Sequence, residues 1–204
     1  MAALTRARII ETAIRLADHE GFEAVTLRRI AGDLGVHVTS LYNHVATRDA
    51  VTDGIVEMLI DEAKLPVEPV GWEQWVRSFY DSMGTVAVTH PGAVAALQRR
   101  PVQGTKASAS FEVALRAFVR AGLDIGDAYS ALKATTMLTL SMCSERALQA
   151  AGVVVETDVD DLPVDLFPLA HQVAEVADSE AAWAFALEVL ISGIRSQIRH
   201  RRTR

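Results

Sequence analysis

Residues Thr26–Val45 read TLRRIAGDLGVHVTSLYNHV, and the spacing of their apolar side chains decides the fold. Leu27, Ile30, Ala31 and Leu34 recur at i, i+3, i+4 and i+7, the period of one helix face. Thr26 stands before them as an N-cap, and Gly35 after them can take the left-handed turn that ends a helix. Val38, Leu41 and Val45 repeat the pattern on a second short helix, expected over 38–44. Two short helices wedged by facing apolar sets across a glycine turn make a helix-turn-helix, whose second helix lies in a major groove. That packing leaves Thr39, Ser40, Tyr42, Asn43 and His44 on the free face. Hydroxyls and His hold phosphates, Asn pairs bidentately with adenine, and Tyr reaches a phosphate or a thymine methyl. A solvated face is the plainer reading of any one of these residues, but the glycine turn, paired apolar sets and polar cluster together favour DNA.

Outward from this stretch nearly every segment keeps the helical period, so the fold class is all-α. Upstream, Ile9, Ala13, Leu16 and Ala17 form a stripe between Thr5 as N-cap and Gly21 as stop. Downstream, Val51, Ile55, Met58 and Leu59 mark a fourth helix ending near Lys64. Leu65–Gly71 (LPVEPVG) is the clearest break in the chain. Helices are then expected from Trp72 to about Val88, up to Arg100 before Pro101, through Phe111, Leu115 and Phe118 to Gly122, and from about Gly126 to Ala151. Val153–Pro168 reads as an acidic irregular loop, with a strand conceivable only at Val153–Val155. A short helix near Leu169–Ala177 and a last one over about Ser179–His200 complete the chain. We divide it into an N-terminal three-helix unit, 1–48, and a helical regulatory and dimerisation unit, 49–204.

The net charge of −6 argues against DNA binding until its distribution is considered. Residues 1–50 hold six Arg and six acidic residues, so the remaining fourteen basic and twenty acidic residues supply the whole deficit. Arg28, Arg29 and Arg48 beside the reading helix can neutralise phosphates locally. A single cysteine, Cys143, forms no internal disulfide, and no stretch has the look of a signal peptide or membrane span. A cytoplasmic protein without membrane contact is expected.

Residues 8–55 resemble the TetR family of bacterial regulators. The resemblance rests on Ala13 and Leu16, Gly21-Phe22, Thr26, Ile30-Ala31, Leu34-Gly35-Val36, Leu41-Tyr42, Val45 and the basic Arg48. It implies that Thr26, Tyr42, His44 and Arg48 hold phosphates, while Arg28 and the Val38–Asn43 turn approach base edges. Val38 replaces a frequently polar position and would offer an apolar contact. The Trp72 helix, the segment ending Arg99-Arg100-Pro101 and the long Gly126–Ala151 helix resemble the regulatory part of the tetracycline repressors. That implies a homodimer on a near-palindromic operator, with Leu187, Leu190, Ile194, Ile198 and parts of Ala134–Leu148 at the contact. In those repressors a histidine helps hold a magnesium-chelated drug; here its place falls on Ala96, and the polar positions of the Trp72 helix fall at or near Phe79 and Met83. No metal, cofactor or tetracycline is therefore expected.

A small hydrophobic ligand is expected instead, with Phe79, Met83, Leu97, Phe111, Leu115, Tyr129, Met137 and Met142 as candidate lining. Taken singly, each is more readily an ordinary core residue. His90, His171 and the Asp158, Asp160, Asp161 cluster lack the partners a metal site needs, and the basic tail 199–204 reads as solvated. No nucleophile–base pair is legible. The expected function is a repressor released from its operator by ligand, with a ligand-dependent activator or a small helical enzyme as alternatives.

Overall fold

A computed structural model gives the protein's structure and describes residues 3–100, 104–153, 159 and 161–202. Helix α1 (Arg6–Glu20) begins where the Thr5 hydroxyl accepts the Arg8 N–H and stops at Gly21. A 3₁₀ turn (Phe22–Ala24) leads to α2 (Leu27–Leu34), capped by Thr26. Gly35 adopts φ 66°, and the Val36 and Gly35 N–H groups donate to the Ala31 and Gly32 carbonyls, a Schellman ending that only a left-handed residue permits. α3 (Val38–Leu41) is shorter than the expected 38–44. The His44 and Val45 N–H groups both converge on the Leu41 carbonyl, so the chain tightens into a turn over Tyr42–His44 instead of continuing as α-helix.

α4 (Arg48–Ala63) is capped by Thr47 and ends at Lys64. Val51, Ile55 and Leu59 are fully buried, and its core joins that of α1 and of the later helices in one continuous cluster. Beyond Leu65–Gly71 come α5 (Trp72–Thr89), α6 (Ala95–Arg99), α7 (Thr105–Ala121), α8 (Ile125–Ala150), α9 (Pro168–Val176) and α10 (Ser179–Arg202). The boundaries follow the Gly, Pro and Asp signals closely: Gly122 takes φ 118° after α7, Asp124 caps α8, and Pro168 opens α9. Pro101, the segment 154–158 and Asp160 lie outside the described residues, as do the last two residues of the basic tail.

α5 is the central helix of the larger helical body. Trp75 is fully buried and donates its indole N–H to Ser110 at 3.1 Å, while stacking on Phe79 at 5.0 Å. Gly84 brings α5 close to α8, because a Cβ there would meet Arg146 and then Met142. α10 is tied to α5 by the Arg77–Glu188 and Arg195–Glu73 pairs.

This docking corrects the expected contact between copies. Leu187, Ile191, Ile194 and Ile198 form the inward stripe of α10, none more than 7% exposed. The solvent side of α10 carries Phe185 (71% exposed) and Val189 (54%), with Leu190 half-buried, and α8 likewise exposes Tyr129 and Met137. The helix has two apolar faces, and sequence periodicity followed the longer one, which the chain's own core consumes.

Candidate nucleic-acid interface

The polar face of the second short helix is built on two anchors. Leu41 is fully buried and Val45 is 2% exposed, and with half-buried Val38 they form the inward edge at i, i+3 and i+7. Fixing that edge forces the intervening residues outward. Thr39, Tyr42, Asn43 and His44 are exposed and Ser40 is half-buried. Tyr42 is half exposed, its ring open to solvent at the tip of the turn.

Thr26 lies at the start of α2, and its hydroxyl accepts the Arg29 N–H at 3.2 Å. That bond uses only an acceptor lone pair, so the hydroxyl hydrogen is free to donate to a phosphate oxygen. The unpaired amides and the positive dipole end of α2 favour the same anion.

Geometry separates three arginines that sequence groups together. Arg28 is exposed and has no partner among the described residues. Arg29 is held by Glu20 (2.6 and 3.4 Å) and by Asp33, and it keeps the Glu20 carboxyl below its usual range. Its role is to brace α2 against α1. Arg48 leans back on the 3₁₀ turn, 3.3 Å from the Phe22 carbonyl and 3.2 Å from Glu23, with its guanidinium over the Phe22 ring. Both partners are exposed, so solvent screening leaves this pair weak. Glu23 also pairs with Arg99 of α6; Arg99 first, then Arg48, lowers its pKa.

His37 shares the exposed tip of the turn and was not among the expected residues. It is exposed at the N-cap position of α3, and its side chain makes no capping bond. The available signal was its position immediately before Val38, at the tip of the turn.

The predicted ligand-lining residues divide. Phe79, Met83, Leu97 and Met142 are buried, while Phe111 and Leu115 are half-buried; Phe111 lies 6.1 Å from Phe79 between ring centres. Tyr129 (60% exposed) and Met137 (61%) stand apart on the solvent side of α8. Thr139 was missed: it is 1% exposed on α8, and its hydroxyl has no hydrogen-bond partner. A buried hydroxyl in that condition costs stability unless a ligand or water meets it. A recess of about 550 Å³ lies elsewhere, where the end of α1, the α5–α6 corner and the end of α8 converge. Cys143 is buried, donates to the Met83 carbonyl at 3.3 Å, and burial pushes its thiol up to about 12, so it is inert.

Paired short helices with an exposed polar tip, joined through α4 to a larger helical body with an aromatic core, define a helix-turn-helix regulator. Residues 9–52 match the family model of bacterial regulatory proteins of the tetR family, and residues 65–198 match the tetracyclin repressor-like C-terminal domain. The chain belongs to the TetR family, whose members are DNA-binding regulators rather than enzymes. It is 32% identical over 146 residues to an HTH-type transcriptional regulator of Saccharopolyspora erythraea, matching 71% of this chain and 62% of that protein. It is 28% identical to the class D tetracycline repressor protein of Escherichia coli, matching 97% and 92% of the two chains. Among solved structures, ActR of Streptomyces coelicolor in complex with (S)-DNPA superposes with a TM-score of 0.79 at 26% identity, covering 97% of this chain and all of that one. No helix among the described residues is long and apolar enough to cross a membrane.

Proposed function

We propose that the chain acts as a homodimeric repressor that binds a near-palindromic operator in the cytoplasm and leaves it when a small apolar ligand binds. The observation that carries this reading is the outward polar set Thr39, Tyr42, Asn43 and His44, seated on buried Leu41 and Val45. Thr26, Tyr42, His44 and Arg48 hold phosphates, while Arg28 and the Val38–Asn43 turn, with Thr39, Ser40 and Asn43, approach base edges. The division falls at 48/49, with α4 as the strut joining reading and sensing parts.

The ligand is held among Phe79, Met83, Leu97, Phe111, Leu115 and Met142, with the Thr139 hydroxyl as polar handle. Phe79, Met83 and Ala96 supply no metal-coordinating atoms of the kind a magnesium-chelated drug requires, so an apolar or aromatic guest fits better. The ligand-bound ActR structure supports a small molecule as the signal. Copies pair through the exposed side of α8 and α10, which places two reading segments about one DNA turn or a small multiple apart. Ligand and operator then oppose each other equally by linkage.

The test is selection of duplexes from a random pool by the full chain, followed by titration of the recovered site with a panel of aromatic compounds. A near-palindromic site released by one of them is the expected result. Recovery of no preferred site overturns the reading, and a compound that tightens binding replaces it with a regulator that holds DNA only with ligand.

A further inference from the structure

His90 closes α5 at the corner where the regulatory helices meet α1 and α4, and both nitrogens of its ring face carboxylates. Nδ1 lies 2.8 Å from Asp18 Oδ2 on α1, and Nε2 lies 2.9 Å from Glu62 Oε2 on α4. A neutral imidazole has a single N–H and can donate to only one of them, leaving a lone pair against the other carboxylate. Imidazolium donates to both. Asp18 is committed further, because its Oδ1 accepts the Gly92 and Ala93 N–H groups at 3.0 Å each. Gly92 in turn presses on α1 so closely that a Cβ would stand 1.8 Å from the Ala17 carbonyl oxygen. One histidine therefore ties α1 of the reading unit and the α4 strut to the regulatory corner.

We propose that His90 is a proton-operated latch: its imidazolium form clamps α1 and α4 to the α5–α6 corner, and loss of the proton frees the reading unit to rotate. The clause about the reading unit rests on the DNA-binding proposal above; the latch itself does not need DNA.

The groups facing His90 decide its charge. α1 presents Asp18 in contact, and Glu11, Arg15 and His19 line the same recess of about 430 Å³; α4 presents Glu62 beside Met58. The flanking Thr89 and Pro91 are uncharged. Burial works against the proton, but the bonds and charges of Asp18 and Glu62 outweigh it, and the pKa moves up from 6.5. The sign follows directly. Clamping is fully present below the free histidine's value of 6.5, declines as pH rises from there, and is lost above the latched histidine's own higher value. Within that window the closing equilibrium falls by at most about tenfold per pH unit, the effect of one proton.

The test uses the full chain carrying spin labels at Gly32→Cys and Gln149→Cys, diluted with unlabelled chain so that only distances within one copy are read. Cys143 stays unlabelled, being buried with a thiol near 12. The 32–149 distance distribution should be narrow at pH 6 and shift or broaden toward pH 9. Its midpoint should match the His90 ring titration followed by NMR. Glu62→Gln should move both midpoints down together, and His90→Gln should abolish the distance change. A distribution that ignores pH, or an unchanged transition in His90→Gln, overturns the latch; should that variant not fold, the Glu62→Gln midpoint alone decides. Operator selection on the same protein keeps the two proposals distinguishable: a distance transition with no recovered site keeps the latch and removes the DNA reading.

Discussion

Adding one methyl group at Gly92 should loosen the joint between the reading and regulatory helices. Gly92 does not need a left-handed backbone, as it is absent from the positive-φ residues, so its requirement is for space alone. In Gly92→Ala the new Cβ would lie 1.8 Å from the Ala17 oxygen, 2.3 Å from its carbonyl carbon and 2.7 Å from the Asp18 nitrogen. All three are backbone atoms, which cannot swing aside. Restoring ordinary contact near 3.5 Å requires the corner to retreat by roughly 1.7 Å. Overpacking of this kind costs about 1–3 kcal/mol. A retreat of that size also breaks the two amide bonds to Asp18, each within the range of about 1.5–3 kcal/mol for bonds to charged groups before screening at this part-exposed position. With screening each bond contributes about 1 kcal/mol, so the total is near 3–5 kcal/mol, or roughly a 6–20 °C fall in Tm for a chain of this size. Calorimetry on the wild type and Gly92→Ala reads it. Gly32→Ala is the control: no atom lies within 4 Å of the added methyl, and the site is a helix interior, so stability should rise by about 0.5–1 kcal/mol. A Gly92→Ala protein that melts with the wild type refutes the geometry of this joint.

Two further substitutions test other parts of the account. Leu41→Ala removes a fully buried side chain, and denaturant unfolding should show a loss of about 2–5 kcal/mol; a loss below 1 would mean that Leu41 does not anchor the polar turn. Phe185→Glu with Val189→Glu places charges on the exposed side of α10, and light scattering should report a monomer of 22.1 kDa with its helical content intact. A mass near twice that value removes this face from the contact between copies.

Much of the fold was legible because its punctuation is local. Thr5 and Thr26 cap helices through their own side chains, and Gly21, Gly35 and Gly122 end them with positive φ, none of which depends on distant contacts. The reading face was legible for a related reason: once Leu41 and Val45 are inside, the residues between them have nowhere else to go. What escaped the sequence was long-range. Adjacent Arg28 and Arg29 differ because Asp33, one turn on, and Glu20, nine positions back, both hold Arg29. Two apolar faces on α10 cannot be ranked without knowing that Arg77 and Arg195 pairs dock one of them. The paired carboxylates on His90 come from Asp18 and Glu62, 72 and 28 positions away, so a lone histidine at a Pro-Gly turn gave no hint of its partners.

Operator affinity of Tyr42→Ala and Asn43→Ala tests the central claim most directly, measured by fluorescence anisotropy beside thermal melting. Both side chains are exposed, so melting should change by less than about 0.5 kcal/mol. Loss of a phosphate or base contact should weaken binding of the selected duplex by about 10–100-fold in each variant. Unchanged affinity in both, or a loss of stability in place of affinity, contradicts the assignment of this surface to DNA.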